Sequence, residues 1–291
     1  MSKIKKLWCY LNISNPIVAW EVAIGRISSI DTSVNLTEET RRSFLSLWQY
    51  SRLKIGYDQG VWQPFINEME IENTRHNEFP KKVSRMRGCY FFESRKMALD
   101  VVQSFNWKGV GFKEEYLSEI EFIYDEENNF SVYDSAWMSS EMSKDEIESY
   151  LTGEAKYLNP ASEFLCYGRG VVLNQDLIKN AEEIVRESFP SSTAFLDSAK
   201  TIFHELFYKK FSNGEVFECD AYHVGQVSPF IRNLDDEHAE VIILMSDSAF
   251  KKYGVIKDGR ELVTPDLRKH MFKISKSQFL KANSKTETVG I

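Results

Sequence analysis

Apolar residues recur along this chain with two periods, near two in short blocks and near 3.6 in longer ones, marking strands and helices respectively. Lys6 to Leu11 reads as a short buried strand. Asn15-Pro16 then starts a helix, with Asn as cap and Pro at the first helical position, and Ile17, Trp20, Ile24 and Ile27 fall roughly on one face. Thr37, followed by Glu38 and Glu39, caps a second helix with Phe44, Leu45, Trp48 and Leu53 on its apolar side. Gly56 to Gly60 reads as loop, and Asn73 to Arg87 as a polar stretch broken by Pro80. Gly88-Cys89-Tyr90-Phe91-Phe92 is a compact strand signal, and Ser94 to Val102 is helical, with Met97, Ala98, Val101 and Val102 on one side. Leu117 to Tyr124 reads as a strand, and Phe130 to Tyr133 is expected to pair with it across the Glu126-Glu127-Asn128-Asn129 turn.

Further on, Ser143-Lys144-Asp145-Glu146 fits a capping box, and the helix it opens ends by Gly153. Glu163 to Gly168 is a buried-strand candidate with a carboxylate at its start, and Val171 to Leu173 continues extended past Gly170. Residues 175–188 are helical and stop at Phe189-Pro190. A strongly patterned helix is expected over 193–210, with Phe195, Ala199, Ile202, Phe203, Leu206 and Phe207 at helical spacing. Ala239 to Met245 reads as a buried strand, Thr264-Pro265 opens another short helix, and residues 282–291 form a polar tail. The composition shift between Asn174 and Pro190 divides the chain into a mixed region, 1–174, and a more helical extension, 175–291.

The chain has 291 residues, room for one large domain or two modest ones. With 43% apolar residues it has material for a sizeable core. Its net charge of -7 excludes a general nucleic-acid coat, which needs excess positive charge. The four cysteines, Cys9, Cys89, Cys166 and Cys219, form no C-x-x-C pair. That spacing argues against a zinc ribbon, a thioredoxin-type centre or a disulfide scaffold, and for a reducing, cytoplasmic setting. No apolar run approaches the ~18 residues that would span a membrane, and no signal-type apolar stretch follows Lys6. Cys219, His223 and His238 meet no recognised ligand spacing, so no metal site is expected.

Two features carry candidate chemistry. Lys81 to Arg87 places four positive charges in seven residues ahead of an aromatic strand, where Arg85 or Arg87 could bond pyrophosphate as a fork. Glu163 sits between Pro160-Ala161-Ser162 and an apolar run, where a carboxylate could steady positive charge on a sugar. No Walker A, G-x-S-x-G or H-E-x-x-H segment occurs, and Gly168-Arg169-Gly170 is not a dinucleotide fingerprint. The order of the pieces is informative. Pro80, Ser84 and Arg85 form Pro-x-x-x-Ser-Arg before the aromatic strand. Tyr150 and Gly153 follow as Tyr-x-x-Gly, and Pro160, Glu163, Leu165 and Gly168 as Pro-x-x-Glu-x-Leu-x-x-Gly. Over roughly residues 5–174 this order resembles the ADP-ribosyltransferase superfamily, in particular bacterial and phage-related toxin or anti-phage members.

The resemblance implies an α+β fold, with a pair of packed β-sheets and flanking helices in 1–174 and a mainly helical extension for target or partner recognition. It implies NAD as the ADP-ribose donor, a macromolecular acceptor (RNA, DNA or protein) and a neutralising antitoxin among the partners. Glu163 becomes the catalytic carboxylate, with Ser84 orienting it or the ribose. Arg85 and Arg87 would hold pyrophosphate, and Tyr90 would stack on nicotinamide. Cys9 and Tyr10 occupy the first-strand place where the family usually has His or Arg. Ala161 stands where arginine-modifying members carry an acid, which points away from arginine as acceptor. Two other readings stand beside this one: an NAD glycohydrolase on the same scaffold, and a non-enzymatic binding protein of phage or host-takeover type that uses its acidic surface.

Overall fold

The computed structural model describes residues 2–29, 46–104, 110–125, 129–139, 141–203, 226–233 and 239–244, with Val263 and Pro265. The expected helix start at Thr37, the ends of the helices beyond Phe203 and at Thr264, and the polar tail lie outside the described residues, as do Cys219, His223 and His238.

Mixed helices and antiparallel strands make up the chain. Strand β1 (Ser2–Tyr10) leads to helix α1 (Pro16–Ile24), where the Asn15 side chain accepts from the Ile17 N–H at 3.0 Å and Pro16 opens the first turn. After β2 (Arg26–Ser28) come two helices, α2 (Leu47–Gln59) and α3 (Gln63–Glu78), and then β3 (Cys89–Phe91) and α4 (Arg95–Ser104). Strands β4 (Leu117–Asp125) and β5 (Phe130–Asp134) precede α5 (Lys144–Thr152), which carries the expected capping box between Ser143 and Glu146. Strands β6 (Ser162–Cys166) and β7 (Gly168–Val172) are followed by α6 (Gln175–Ser188) and α7 (Thr193–Phe203). The hairpin β8 (Gln226–Asn233) and β9 (Ala239–Leu244) completes the described chain.

The strands form a four-stranded sheet in the order β1-β4-β7-β2, a three-stranded sheet in the order β3-β6-β5, and the terminal hairpin. The first two sheets pack face to face. Phe91 of β3 meets Phe122 of β4 with ring centroids 4.6 Å apart. Phe164 and Cys166 of β6 share one buried cluster with Leu7 and Cys9 of β1 and Val171 and Val172 of β7. The sheets are also joined at one edge, where Trp8 and Phe92 exchange backbone hydrogen bonds of 2.8 and 2.7 Å.

The expected hairpin of Leu117–Tyr124 with Phe130–Tyr133 does not form. Strand β4 pairs with β1 and β7, whereas β5 pairs with β6 in the other sheet. A short acidic segment in the sequence looks like a hairpin signal, but the strands on either side of it belong to different sheets. The chain crosses back between β6 and β7 with only Tyr167 between them. Gly168 makes that step possible: its φ is 155°, and a Cβ there would lie 2.0 Å from the Ile123 carbonyl oxygen.

Two further readings change. Gly56 lies inside α2 rather than in a loop: the helix runs on to Gly60, whose left-handed backbone caps it, and at Gly56 a Cβ would sit 2.7 Å from the Trp62 ring. The polar stretch before Pro80 is largely helix α3, whose buried positions Phe65, Glu68, Ile71 and Arg75 follow helical spacing although two of them are charged. The core also runs on past Asn174. Leu177, Ala181 and Val185 of α6 and Phe195, Leu196 and Ala199 of α7 join the cluster of α1, and Trp20 lies 5.7 Å from Phe195. Each such buried large side chain contributes about 1.5–3 kcal/mol. Among the described residues no helix is long and apolar enough to cross a membrane.

Candidate functional site

Alternation along β6 decides where Glu163 points. Phe164 and Cys166 face the core between the sheets, so Glu163 and Leu165 face the opposite side of the smaller sheet. There Leu165 joins Ile71 of α3, Val83, Tyr133 of β5, and Ile147, Tyr150 and Leu151 of α5 in a second buried cluster. The register sets Tyr133 directly beside Glu163 and Tyr90 beside Leu165.

Glu163 is buried at 6% exposure and is held by two partners. Arg85 donates from Nη1 and Tyr150 from its hydroxyl, and both bonds fall on Oε1. Among the described residues no donor bonds Oε2. Arg85 is itself 3% exposed, and Glu68 takes its other edge: Nε donates to Oε2 at 2.7 Å and Nη2 to Oε1 at 3.0 Å. The guanidinium lies between two rings, 5.0 Å from the Tyr90 centroid and 5.2 Å from that of Tyr150. Tyr150 stacks in turn on Tyr133 at 4.5 Å.

Burial disfavours the charge on Arg85, but Glu163 and Glu68 outweigh it and hold the guanidinium pKa well above its ordinary value. Burial opposes the ionised form of Glu68 as well, and the neighbouring Arg85, backed by Arg52, overrides it and keeps the carboxyl below its ordinary value. Burial pushes the Tyr150 phenol well above its ordinary value, so it retains the proton it donates to Glu163. Burial likewise raises Tyr133 to about 12. The group is thus a charged, protonated-tyrosine nest around one carboxylate.

A rim of larger side chains adjoins it. Arg52 reaches Glu68 at 3.5 Å, stacks 5.2 Å from the Trp48 ring, and keeps 27% of its side chain exposed. Trp48 lies 6.2 Å from Tyr90. Gln49 donates to the Tyr90 hydroxyl at 3.0 Å, and its own Oε1 is buried with no hydrogen-bond partner.

The structure therefore brings together Glu163, Arg85 and Tyr90, and separates the other predicted residues from them. Ser84 does not touch Glu163: its hydroxyl donates to Glu72 of α3 at 2.8 Å and accepts from the Met86 N–H at 3.1 Å. Its work is to pin the 80–88 segment, together with Arg75, which donates to the Lys82 carbonyl at 3.0 Å while bonded to Glu72. The Arg85 fork read as a pyrophosphate clamp is taken up by two carboxylates. The Arg87 guanidinium lies 5.9 Å from the Tyr167 ring. Cys9 points into the core between the sheets, on the face of the smaller sheet away from Glu163, and burial pushes its thiol up to about 12. Tyr10 donates to the Ala98 carbonyl at 3.2 Å and packs on Phe92 and Phe112, with the rings of Phe112 and Trp48 between it and Tyr90.

Sequence reasoning missed Glu68, Gln49 and Arg52. Glu68 was legible only through the i, i+4, i+7 spacing of Glu68, Glu72 and Arg75, which places all three on the face of α3 that meets the 80–88 segment. A groove of about 380 Å³ runs between α4 and the loop entering β6, lined by Met97, Asp100, Tyr157, Pro160 and Ala161. Beside Tyr157, Leu158 is 97% exposed. No protein-family model matches the chain, and no curated protein matches it.

Proposed function

We propose that the protein is an NAD-dependent mono-ADP-ribosyltransferase with Glu163 as its catalytic carboxylate. The observation that carries this reading is the state of that carboxylate: Oε1 is fixed by Arg85 and Tyr150, and Oε2 takes no bond from any described residue. A carboxylate held by one oxygen in a water-poor place, with the other available, suits a sugar hydroxyl and the positive charge that develops beside it. The order of Ser84-Arg85, Tyr150 and Glu163 along the chain, and the packing of two antiparallel sheets, support the same reading.

The chemistry follows from the bonds involved. The bond between the ribose anomeric carbon and the nicotinamide nitrogen breaks, and its electron pair goes to the ring nitrogen. Pyridinium becomes neutral nicotinamide, and the sugar becomes oxocarbenium-like. Glu163 stabilises that charge and hydrogen-bonds the ribose 2′-hydroxyl through Oε2. An acceptor lone pair then forms the new bond to the anomeric carbon, and the acceptor proton leaves to solvent.

The donor set fits NAD in its chemistry. Tyr90 and Trp48 supply rings for nicotinamide or adenine, and Arg52 supplies a partly exposed guanidinium for phosphate, in the role first read for Arg85. Tyr157 and Leu158, exposed next to the groove ahead of β6, offer apolar surface to a macromolecular acceptor. Incubating the full chain with NAD and measuring nicotinamide release tests the reading. Release without label transfer to protein, RNA or DNA would assign the glycohydrolase, and no release would leave the binding-protein reading.

A further inference from the structure

Glu68 is the group in the buried cluster that neither the fold nor the proposed chemistry explains. It is fully buried, sits on α3 far from Glu163 in sequence, and holds Arg85 by two nitrogens at 2.7 and 3.0 Å. A core without function would do as well with an apolar side chain there, since buried ion pairs seldom outperform packed hydrophobic groups in stability.

The charges suggest what it does. Arg85 bears one positive charge, and Glu68 and Glu163 one negative charge each. If Arg85 met Glu163 alone, the two would form a neutral pair, and a neutral pair is a weak stabiliser of an oxocarbenium-like sugar. Glu68 takes the bidentate edge of the fork, so Glu163 receives a directed hydrogen bond from Nη1 while the buried triad keeps one net negative charge. Arg52 pairs with Glu68 at 3.5 Å, so the four charged groups together are neutral, but it keeps 27% of its side chain exposed to water and, among the described residues, makes no bond to Glu163. The other groups around Glu163 are phenols: Tyr150 on α5, Tyr133 on β5 and Tyr90 on β3. Burial keeps all three protonated and uncharged. Lys82 lies 5.6 Å from the centroid of the Tyr133 ring, and among the described residues Arg85 is the one cation bonded to Glu163 itself.

We infer that Glu68 is a positioning residue for catalysis, one that anchors Arg85 so that Glu163 is oriented without being neutralised. This rests on the proposed role of Glu163 and adds to it a division of labour between two carboxylates on one guanidinium. The substitution Glu68→Gln keeps the shape and one hydrogen-bond acceptor but removes the charge. The inference expects kcat for nicotinamide release to fall by about tenfold or more while KM for NAD changes by less than about threefold, the pattern of a lost transition-state contribution. The substitution Glu68→Asp keeps the charge and recovers most of that loss.

The companion measurement does not depend on activity. In the wild-type chain the Arg85 Nε–H, bonded to a buried carboxylate, gives a slowly exchanging signal by nitrogen-15 NMR, and both variants lose that protection, Gln more than Asp. Wild-type kcat in folded Glu68→Gln, or equal loss with a matching rise in KM in both variants, overturns the inference. So does an Arg85 signal in folded Glu68→Gln as protected as in the wild type; if Glu68→Gln does not fold, Glu68→Asp decides the matter, and wild-type protection of Arg85 there together with an about tenfold loss of kcat overturns the inference. Protection of Arg85 with no nicotinamide release from the wild type overturns the proposed function instead, and with it the catalytic part of this role.

Discussion

Glu163 and its neighbours show how a residue's context sets its work. The Pro-x-x-Glu-x-Leu-x-x-Gly spacing made Glu163 legible because a carboxylate inside an apolar run is costly unless something holds it. What holds it, Arg85 and Tyr150, was partly legible from the same short segments, although the role first read for Arg85 was different. Glu68 showed only as the i, i+4, i+7 spacing it shares with Glu72 and Arg75, and Gln49 not at all, since nothing in a linear pattern says that a polar group on a polar helix faces inward. Replacing Glu163 by Gln is expected to keep the fold and lower nicotinamide release by about a hundredfold, the scale of one lost electrostatic stabiliser; a folded variant with near wild-type turnover would remove Glu163 from the chemistry. Replacing Arg85 by Ala leaves Glu68 and Glu163 buried without their cation and is expected to cost about 3–5 kcal/mol in thermal or denaturant unfolding. Arg85→Lys should fall between that variant and the wild type, because a point charge cannot hold both carboxylates. Equal stability of all three would make the cluster incidental. The Glu68 carboxyl also has a pH signature. Its pKa is lowered in the folded chain, so its contribution to stability is fully present above the ordinary carboxylate value of 4.5 and fades as pH falls below that. The melting-temperature gap between wild type and Glu68→Gln should therefore narrow in acid, and a gap constant from pH 7 to 3 would contradict the assignment.

Elements with clean chemistry at their ends were legible. The Asn15-Pro16 start and the Ser143–Glu146 capping box both appear where local hydrogen bonding dictates. Elements whose placement depends on distant partners were not. Helix α3 hid because its buried stripe includes Glu68 and Arg75, whose partners on the 80–88 segment make inward charge tolerable. Strands β4 and β5 looked like a hairpin because their separation is short, but each finds its pairing in a different sheet. The crossing at Gly168 is the element-scale feature most open to test. A Cβ there collides with the Ile123 carbonyl oxygen at 2.0 Å, and the backbone φ of 155° disfavours other residues. Gly168→Ala is expected to lower the melting temperature by about 2–5 °C, roughly the effect of ~1–2 kcal/mol in a chain of this length. A variant that melts with the wild type would show that β6 and β7 have freedom the geometry denies them.

At the scale of the molecule, two packed antiparallel sheets were expected and are present, and their core continues into the helices after Asn174, where the composition changes. Composition registers a change in element type, but the packing of α6 and α7 on α1 ties the helices after 174 to the sheets before it. A fragment ending at Asn174 would expose Trp20, Ala23 and their neighbours and is expected to be insoluble or to aggregate, which size-exclusion chromatography would read. A soluble, monomeric 1–174 fragment would show that these helices dock without being needed. The acidic balance of the whole chain leaves the acceptor open, so the decisive measurement asks first whether the chemistry occurs. Purified full-length protein, wild type and Glu163→Gln, is given NAD labelled in the adenine moiety, together with separate protein, RNA and DNA pools, and both nicotinamide release and retained label are followed. The account predicts release by the wild type, label on one of the pools, and loss of both by about a hundredfold in the folded variant. No release by the wild type above the level of the variant would contradict it.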